Sequence, residues 1–178
     1  MLQERVEGKW LAAFRRVFAL NGITKGTQIA IISETQSRPV LVHLCELAAY
    51  DLGADFFIIA MPTPPQSAPV PVKSTGTSWA IQQNRAVIEA LKRVDVIVDC
   101  TVEGLIHAPE WPEIEDAGRA RLLVITNEHP EILERTEPKA EHGPKVQMGI
   151  QMLREASEMR VTSAIGTDLT VDLRGAPC

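Results

Sequence analysis

Apolar positions repeat at helical spacing in the first segment of the chain. Trp10, Phe14 and Val17 fall on one face of a helix, and Gly22 provides a natural end for it. Residues 27–33 follow as a short run rich in β-branched side chains. This pattern predicts an amphipathic helix followed by a strand.

Helices and strands continue to alternate beyond this point. A helix begins where Ser37 can cap it and Pro39 can occupy its first turn, and residues 54–61 form a second strand. A Pro-rich stretch at residues 62–71 predicts a long loop over one end of the sheet. Strands are also predicted at residues 95–100 and 121–126, and helical spacing marks the segments between the strands. Because these strands are apolar without alternation, the pattern predicts a doubly wound, mostly parallel Rossmann-like α/β sheet with helices on both faces.

The end of the chain changes character. Residues 160–163 and 167–173 are strand-like, and in the second run apolar and polar positions alternate. The pattern predicts a β-hairpin, which is marginal in water unless it joins a larger sheet. We therefore expect a Rossmann-like domain over residues 1–158 and the start of a second domain at residues 159–178.

Composition excludes several functional classes. The 178 residues carry a formal net charge of −5 with acidic and basic side chains mixed along the chain, so a nucleic-acid partner is not expected. Charges in the first seven residues argue against a signal peptide, and the longest apolar run, residues 56–61, is far shorter than a membrane span. The cysteines show no CxxC spacing. We expect a cytoplasmic protein with reduced, buried thiols at Cys45 and Cys100.

Ligands of doubly wound sheets bind beyond the carboxyl ends of the strands, which here directs attention to residues 34–38, 62–65, 102–107 and 127–129. The first strand-to-helix turn reads SETQSRP and has no glycine, so a dinucleotide is not expected. No GxxxxGK[ST] loop supports a nucleoside triphosphate. The best candidates for lining a pocket are Glu103, Gly104, Leu105 and Ile106, since glycine lets backbone approach a ligand; an ordinary connecting loop is the alternative.

Catalytic and metal-binding residue types also occur at the same end of the predicted sheet. Cys100 ends a strand and could act as a nucleophile, or it could be a small buried residue that completes the strand. His107 with Glu110, and Glu128 with His129, are close in sequence, but solvated loop polarity is the simpler interpretation of each pair. Neither pattern predicts a catalytic or metal-binding residue in this chain.

The segment RVTSAIGTDLTVDLRGAP, which begins at Arg160, resembles the domain junction of the thermophilic aminopeptidase T (M29) superfamily. In that superfamily a Rossmann-like N-terminal domain precedes a metal-binding C-terminal domain. It includes the 2,5-dihydroxypyridine 5,6-dioxygenases, non-haem Fe(II) enzymes that open the ring of a nicotinate breakdown product. The VEGLIH loop of this chain and its short connections resemble the dioxygenase branch.

The resemblance implies that this chain is the N-terminal domain of a dioxygenase that cleaves the ring of 2,5-dihydroxypyridine. Fe(II) would be bound in the C-terminal domain by two His and an acidic residue that have no counterpart here, so the chain alone is expected to be inactive. Residues 103–106 would face the cleft between domains and form one wall of an aromatic pocket that excludes water. The implied partners are a small aromatic substrate, O₂ and further copies of the chain in a homo-oligomer.

Two alternatives remain open at this point. The chain could be the N-terminal domain of an M29-type metallo-aminopeptidase. It could also be a non-catalytic binding or assembly module whose terminal hairpin completes the sheet of a partner.

Overall fold

A computed structural model describes residues 5–65, 78–125 and 127–176 of the chain. These residues fall into two compact units, Met1–Glu137 and Pro138–Cys178. Much of the predicted Pro-rich loop lies in residues 66–77, outside the described part. The elements of the first unit are α1 (Gly8–Leu20), β1 (Gln28–Glu34), α2 (Pro39–Asp51), β2 (Asp55–Met61), α3 (Arg85–Leu91), β3 (Val96–Asp99), α4 (Trp111–Glu115), β4 (Arg121–Val124) and α5 (Pro130–Arg135).

The four strands form one sheet in the order β2-β1-β3-β4, and every neighbouring pair is parallel. At the centre of the sheet, Ile31 lies opposite Ile58 on one side and Val98 on the other. Parallel strands need crossover connections, which the helices supply. The predicted doubly wound α/β sheet is confirmed.

Two apolar layers cover the two faces of this sheet. Successive residues of β1 point to opposite faces, so Ile29 and Ile31 join one layer while Ala30 and Ile32 join the other. The first layer packs against side chains of α1 and α2, and the second against side chains of α3 and α4. Burial on both faces is the reason that the middle of β1, residues 29–32, is apolar without alternation.

Strand β2 is an edge of the sheet among the described residues, because it pairs with β1 alone. Phe57 and Ile58 in this strand are each 43% exposed. Its side chains are therefore less covered than those of β1 and β3.

The second unit contains α6 (His142–Glu155), β5 (Glu158–Thr162) and β6 (Asp168–Asp172). The two strands form an antiparallel hairpin in which Arg160 lies opposite Thr170, and the Arg160 guanidinium donates two hydrogen bonds to the Asp168 carboxylate. The predicted hairpin is confirmed. The division after Glu137 groups α6 with the hairpin, whereas the sequence-based boundary at residue 158 groups it with the sheet. That a metal-binding domain begins at residue 159 stays a prediction.

No helix in the described part of the chain combines the length and the hydrophobicity needed to cross a bilayer.

Candidate functional site

The two central strands define the candidate site. From β1 the chain passes to β2 on one side of the sheet, whereas from β3 it passes to β4 on the other side. Connections that diverge in this way leave a crevice beyond the carboxyl ends of the two strands, and this is where ligands bind in such sheets. Buried polar residues cluster at the ends of these strands and in the segments beside them: Ser33, Glu34, Ser37, Ser78, Asp99 and Thr101.

Asp99, the last residue of β3, is completely buried and has a partner for each carboxylate oxygen. Its Oδ1 accepts hydrogen bonds from the backbone N–H of Thr101 at 2.9 Å and from the Thr101 hydroxyl at 2.6 Å. Its Oδ2 accepts one from the backbone N–H of Leu105 at 2.6 Å. Burial raises the pKa of Asp99 above its usual value; the hydrogen bonds oppose this shift and the nearby charge of Glu34 adds to it.

Gly104 lies at the tip of the turn that Asp99 closes. Its φ of +79° is in the left-handed region, where a residue with a side chain would be strained. The Gly104 N–H donates to the Thr101 hydroxyl at 3.1 Å, and its carbonyl accepts from the Ser78 N–H at 2.6 Å. Both polar backbone groups of Gly104 are therefore used within the protein, and the glycine is required by the shape of the turn.

The end of β1 is bonded to the same network. Ser78, between β2 and α3, donates its hydroxyl to Glu34 Oε1 at 2.6 Å. Since its N–H donates to Gly104, Ser78 links the loop after β3 to the last residue of β1. The Ser37 hydroxyl accepts from the Glu34 N–H at 2.7 Å and donates to the Cys100 carbonyl at 2.6 Å. The prediction that Ser37 caps α2 is therefore wrong. The N-cap residue is Arg38, without a capping side chain, and the Ser37 hydroxyl is instead bonded to the carbonyl of Cys100, directly after β3.

The structure places the four predicted substrate-binding residues in two environments. Gly104 and Leu105 are buried, and the Leu105 side chain packs in the apolar layer that contains Ile97. Glu103 is partly buried, and Ile106 is 51% exposed. Only Glu103 and Ile106 thus offer side-chain surface to a ligand, and the contribution of the loop to a substrate pocket stays a prediction.

Cys100 follows β3 immediately and is fully buried. Its sulfur lies 3.7 Å from the sulfur of Cys45 on α2. Burial raises the pKa of Cys45 well above its usual range, so this thiol stays protonated at neutral pH. This environment favours a packing role for Cys100 over a nucleophilic one.

The loop after β4 contacts the loop after β1. Asn127 accepts the backbone N–H of Arg38 at 2.6 Å and donates to the Gln36 carbonyl at 3.2 Å. His129 caps α5 by accepting the Glu131 N–H at Nδ1, and its ring lies edge-on to Trp10 at a centroid distance of 5.2 Å. The position of Asn127 is thus accounted for by hydrogen bonds between the two loops, and that of His129 by capping and packing.

Within residues 5–65, 78–125 and 127–176, no group of three or more His, Cys, Asp or Glu side chains is arranged to hold a metal ion. His107 with Glu110, and Glu128 with His129, do not become part of such a group.

The sheet topology and the residues at the carboxyl ends of β1 and β3 define a Rossmann-like α/β domain with a buried polar network at those strand ends. The family model described as 2,5-dihydroxypyridine 5,6-dioxygenase matches residues 9–178. The chain belongs to the 2,5-dihydroxypyridine 5,6-dioxygenase family. The predicted dioxygenase resemblance is thereby confirmed, whereas the link to M29 aminopeptidases stays a prediction.

Individual relatives agree with this assignment. The chain is 27% identical over 168 residues to the 2,5-dihydroxypyridine 5,6-dioxygenase of Pseudomonas putida KT2440, covering 92% of this chain and 46% of that protein. The solved structure of 2,5-dihydroxypyridine dioxygenase from the same strain matches with a TM-score of 0.83 and 25% identity, covering 95% of this chain and 48% of that one. The chain therefore spans about half the length of these relatives.

Proposed function

We propose that this chain is the N-terminal half of an oxygen-dependent enzyme that opens the ring of 2,5-dihydroxypyridine. The observation that carries the proposal is the match of the dioxygenase family model over residues 9–178. The structural match to the Pseudomonas putida enzyme, with a TM-score of 0.83, supports it. We infer the substrate, 2,5-dihydroxypyridine, from the names of those relatives. The reaction would be a step in the degradation of nicotinate.

Residues 103–106 supply one wall of the substrate cleft in this proposal. The loop lies at the carboxyl end of β3, next to the end of β1, where ligands of doubly wound sheets bind. The half-exposed Ile106 offers an apolar surface to an aromatic ring, and the Glu103 carboxylate is an acceptor suited to a ring hydroxyl. A wall of this kind orients the substrate and keeps water from it.

Fe(II) is the metal that the resemblance implies, and the described residues of this chain do not fit it. A non-haem iron site of this type needs two His and a carboxylate that converge, and the described residues contain no such set. We therefore place the iron in the other half of a family-length protein. The role of this chain is to bind and orient the substrate.

Activity measurements on two proteins test the proposal. A protein that joins this chain to the rest of a family-length sequence should consume 2,5-dihydroxypyridine and O₂ when supplied with Fe(II), followed by ring absorbance and an oxygen electrode. The 178-residue chain alone should consume neither. Turnover by the chain alone would contradict the placement of the metal, and metal-dependent release of amino acids from peptides by the longer protein would favour the aminopeptidase alternative.

Self-association is a separate part of the proposal. The partly uncovered apolar edge strand β2 and the exposed apolar residues of the second unit support a homo-oligomer. Sedimentation equilibrium on the family-length protein should give a mass of more than one copy. A monomeric mass at every concentration would contradict this part alone.

A further inference from the structure

We propose that Asp99 is a positioning residue for the substrate-facing loop, residues 101–106. This inference rests on the proposed function, in which residues 103–106 form one wall of the substrate cleft. It names the residue that gives this wall its shape. Asp99 does not touch the substrate in this account. It acts through the backbone of the residues that precede and follow Glu103.

Hydrogen-bond donors from two points of the loop converge on Asp99. The carboxylate accepts from the N–H of Thr101 and from the N–H of Leu105, so its two oxygens hold two points of the loop. The Thr101 hydroxyl, which also donates to Asp99, accepts the N–H of Gly104. A single side chain therefore determines, directly or through Thr101, where three backbone amides of the loop lie.

This arrangement leaves only part of the loop accessible to a ligand. Gly104 and Leu105 are buried, whereas Ile106 is half-exposed directly after them. Ser78 holds the loop from another direction by donating its N–H to the Gly104 carbonyl at 2.6 Å. The backbone between Glu103 and Ile106 is thus fixed, and the directions of these two side chains follow from it.

The buried Asp99 carboxylate has an energetic cost that its hydrogen bonds offset. Removing a carboxylate from water is costly, and burial raises the pKa of Asp99 accordingly. Three hydrogen bonds, two of them from backbone, offset this cost. An apolar residue would cost less to bury at the end of β3, but it would leave the N–H groups of Thr101 and Leu105 without this acceptor.

The substitution Asp99→Asn is informative because it preserves shape. An amide offers one acceptor oxygen where the carboxylate has two, and its NH₂ group would face an N–H donor. Either the Thr101 side or the Leu105 side of the loop must then detach. Thr101→Val removes the hydroxyl that connects Asp99 to Gly104 at almost constant volume, and Thr101→Ser retains that hydroxyl.

The test uses the family-length protein for kinetics and the 178-residue chain for amide exchange. Asp99→Asn should raise the KM for 2,5-dihydroxypyridine about tenfold and leave kcat within about threefold, since a displaced wall weakens substrate binding. The N–H of Leu105 should exchange with solvent about a hundredfold faster. Asp95→Asn, directly before the first residue of β3, is the matched control and should change neither quantity.

The outcomes separate this inference from the proposed function. Absence of turnover by the wild-type protein would refute the proposed function; the exchange of Leu105 and Gly104 would still decide whether Asp99 positions the loop. Unchanged KM and unchanged exchange in Asp99→Asn would overturn the inference. If that variant does not fold, Thr101→Val should raise the KM for 2,5-dihydroxypyridine, whereas Thr101→Ser should keep the KM of the wild-type protein. Equal KM values for these two threonine variants would also overturn the inference.

Discussion

The two units of the molecule differ in how they bury apolar surface. In the first, the sheet lies between two apolar layers, and side chains such as Phe14, Ile31 and Ile97 are fully buried. In the second, no residue among 138–176 is buried, and Met152 and Leu169 are more than half exposed. Hydrogen bonds alone hold a hairpin weakly, because the decisive contribution in small folds is burial of apolar surface. Secondary structure and stability are thus separable properties in this chain.

The largest difference should appear in amide hydrogen exchange of the 178-residue chain. Amides of β5 and β6 should exchange at least about a thousandfold faster than those of β1 and β3, because neither hairpin strand contains a buried residue. Mass spectrometry of deuterated peptides measures both regions in one sample. Equal protection of the two regions would mean that the second unit is stabilised by more than its own contacts.

Truncation of one side chain in each unit tests the same difference in apolar burial between the two units. Phe14→Ala should lower the free energy of unfolding by about 3–5 kcal/mol, since it leaves a cavity in a fully packed layer. Met152→Ala is the control; this side chain is 65% exposed, and the change should be within about 0.5 kcal/mol. Urea denaturation followed by circular dichroism gives both values. Similar losses in the two variants would contradict the difference in packing.

The smallest effect concerns an ion-pair cluster on the surface of the first unit. Hydrogen bonds from Arg85 and then Lys92 lower the pKa of Glu113 from its ordinary value of 4.5 to about 2. The folded state therefore holds this proton less tightly than the unfolded state, so the contribution is present above pH 4.5 and is lost as the pH falls towards 2. Thermal melting should show a small deficit for Glu113→Gln that disappears at the acid end of this range.

Glu115→Gln, on the same short helix, controls for the loss of one negative charge. A deficit of the same size and pH dependence in both variants would show that net charge, and not the pairing of Glu113 with Arg85 and Lys92, is responsible.

The sheet could be predicted from the sequence because its strands are buried on both faces. A run such as residues 29–32 is apolar for that reason, and the pattern is visible without knowledge of its neighbours. The cap of α2 was not predictable in the same way. Ser37 has the local signature of an N-cap, but the Cys100 carbonyl, far away in sequence, takes its hydroxyl. Local rules fail where a long-range partner competes.

The candidate site was predictable to the level of the loop. Topology directs attention to the carboxyl end of β3, and the glycine at position 104 does lie at a special backbone conformation. The buried network that shapes the loop was missed. One signal for it was available: β3 is apolar up to Asp99, and an acidic residue at the end of such a strand needs donors, which the following Thr101 and Leu105 supply. The role of Ser78 could not be predicted from the sequence. Its hydrogen bond to Gly104 joins two residues that are distant in sequence and depends on the tertiary fold.

Strand β2 has a consequence for handling the protein. Its seven residues, DFFIIAM, carry one charge, at Asp55, and its outer edge has no neighbouring strand among the described residues. An apolar strand edge of this kind is a template for adding strands from other molecules. The 178-residue chain should therefore aggregate more as its concentration or the salt concentration is raised. A lysine in place of the exposed Phe57 is the simplest change that would make the chain easier to concentrate.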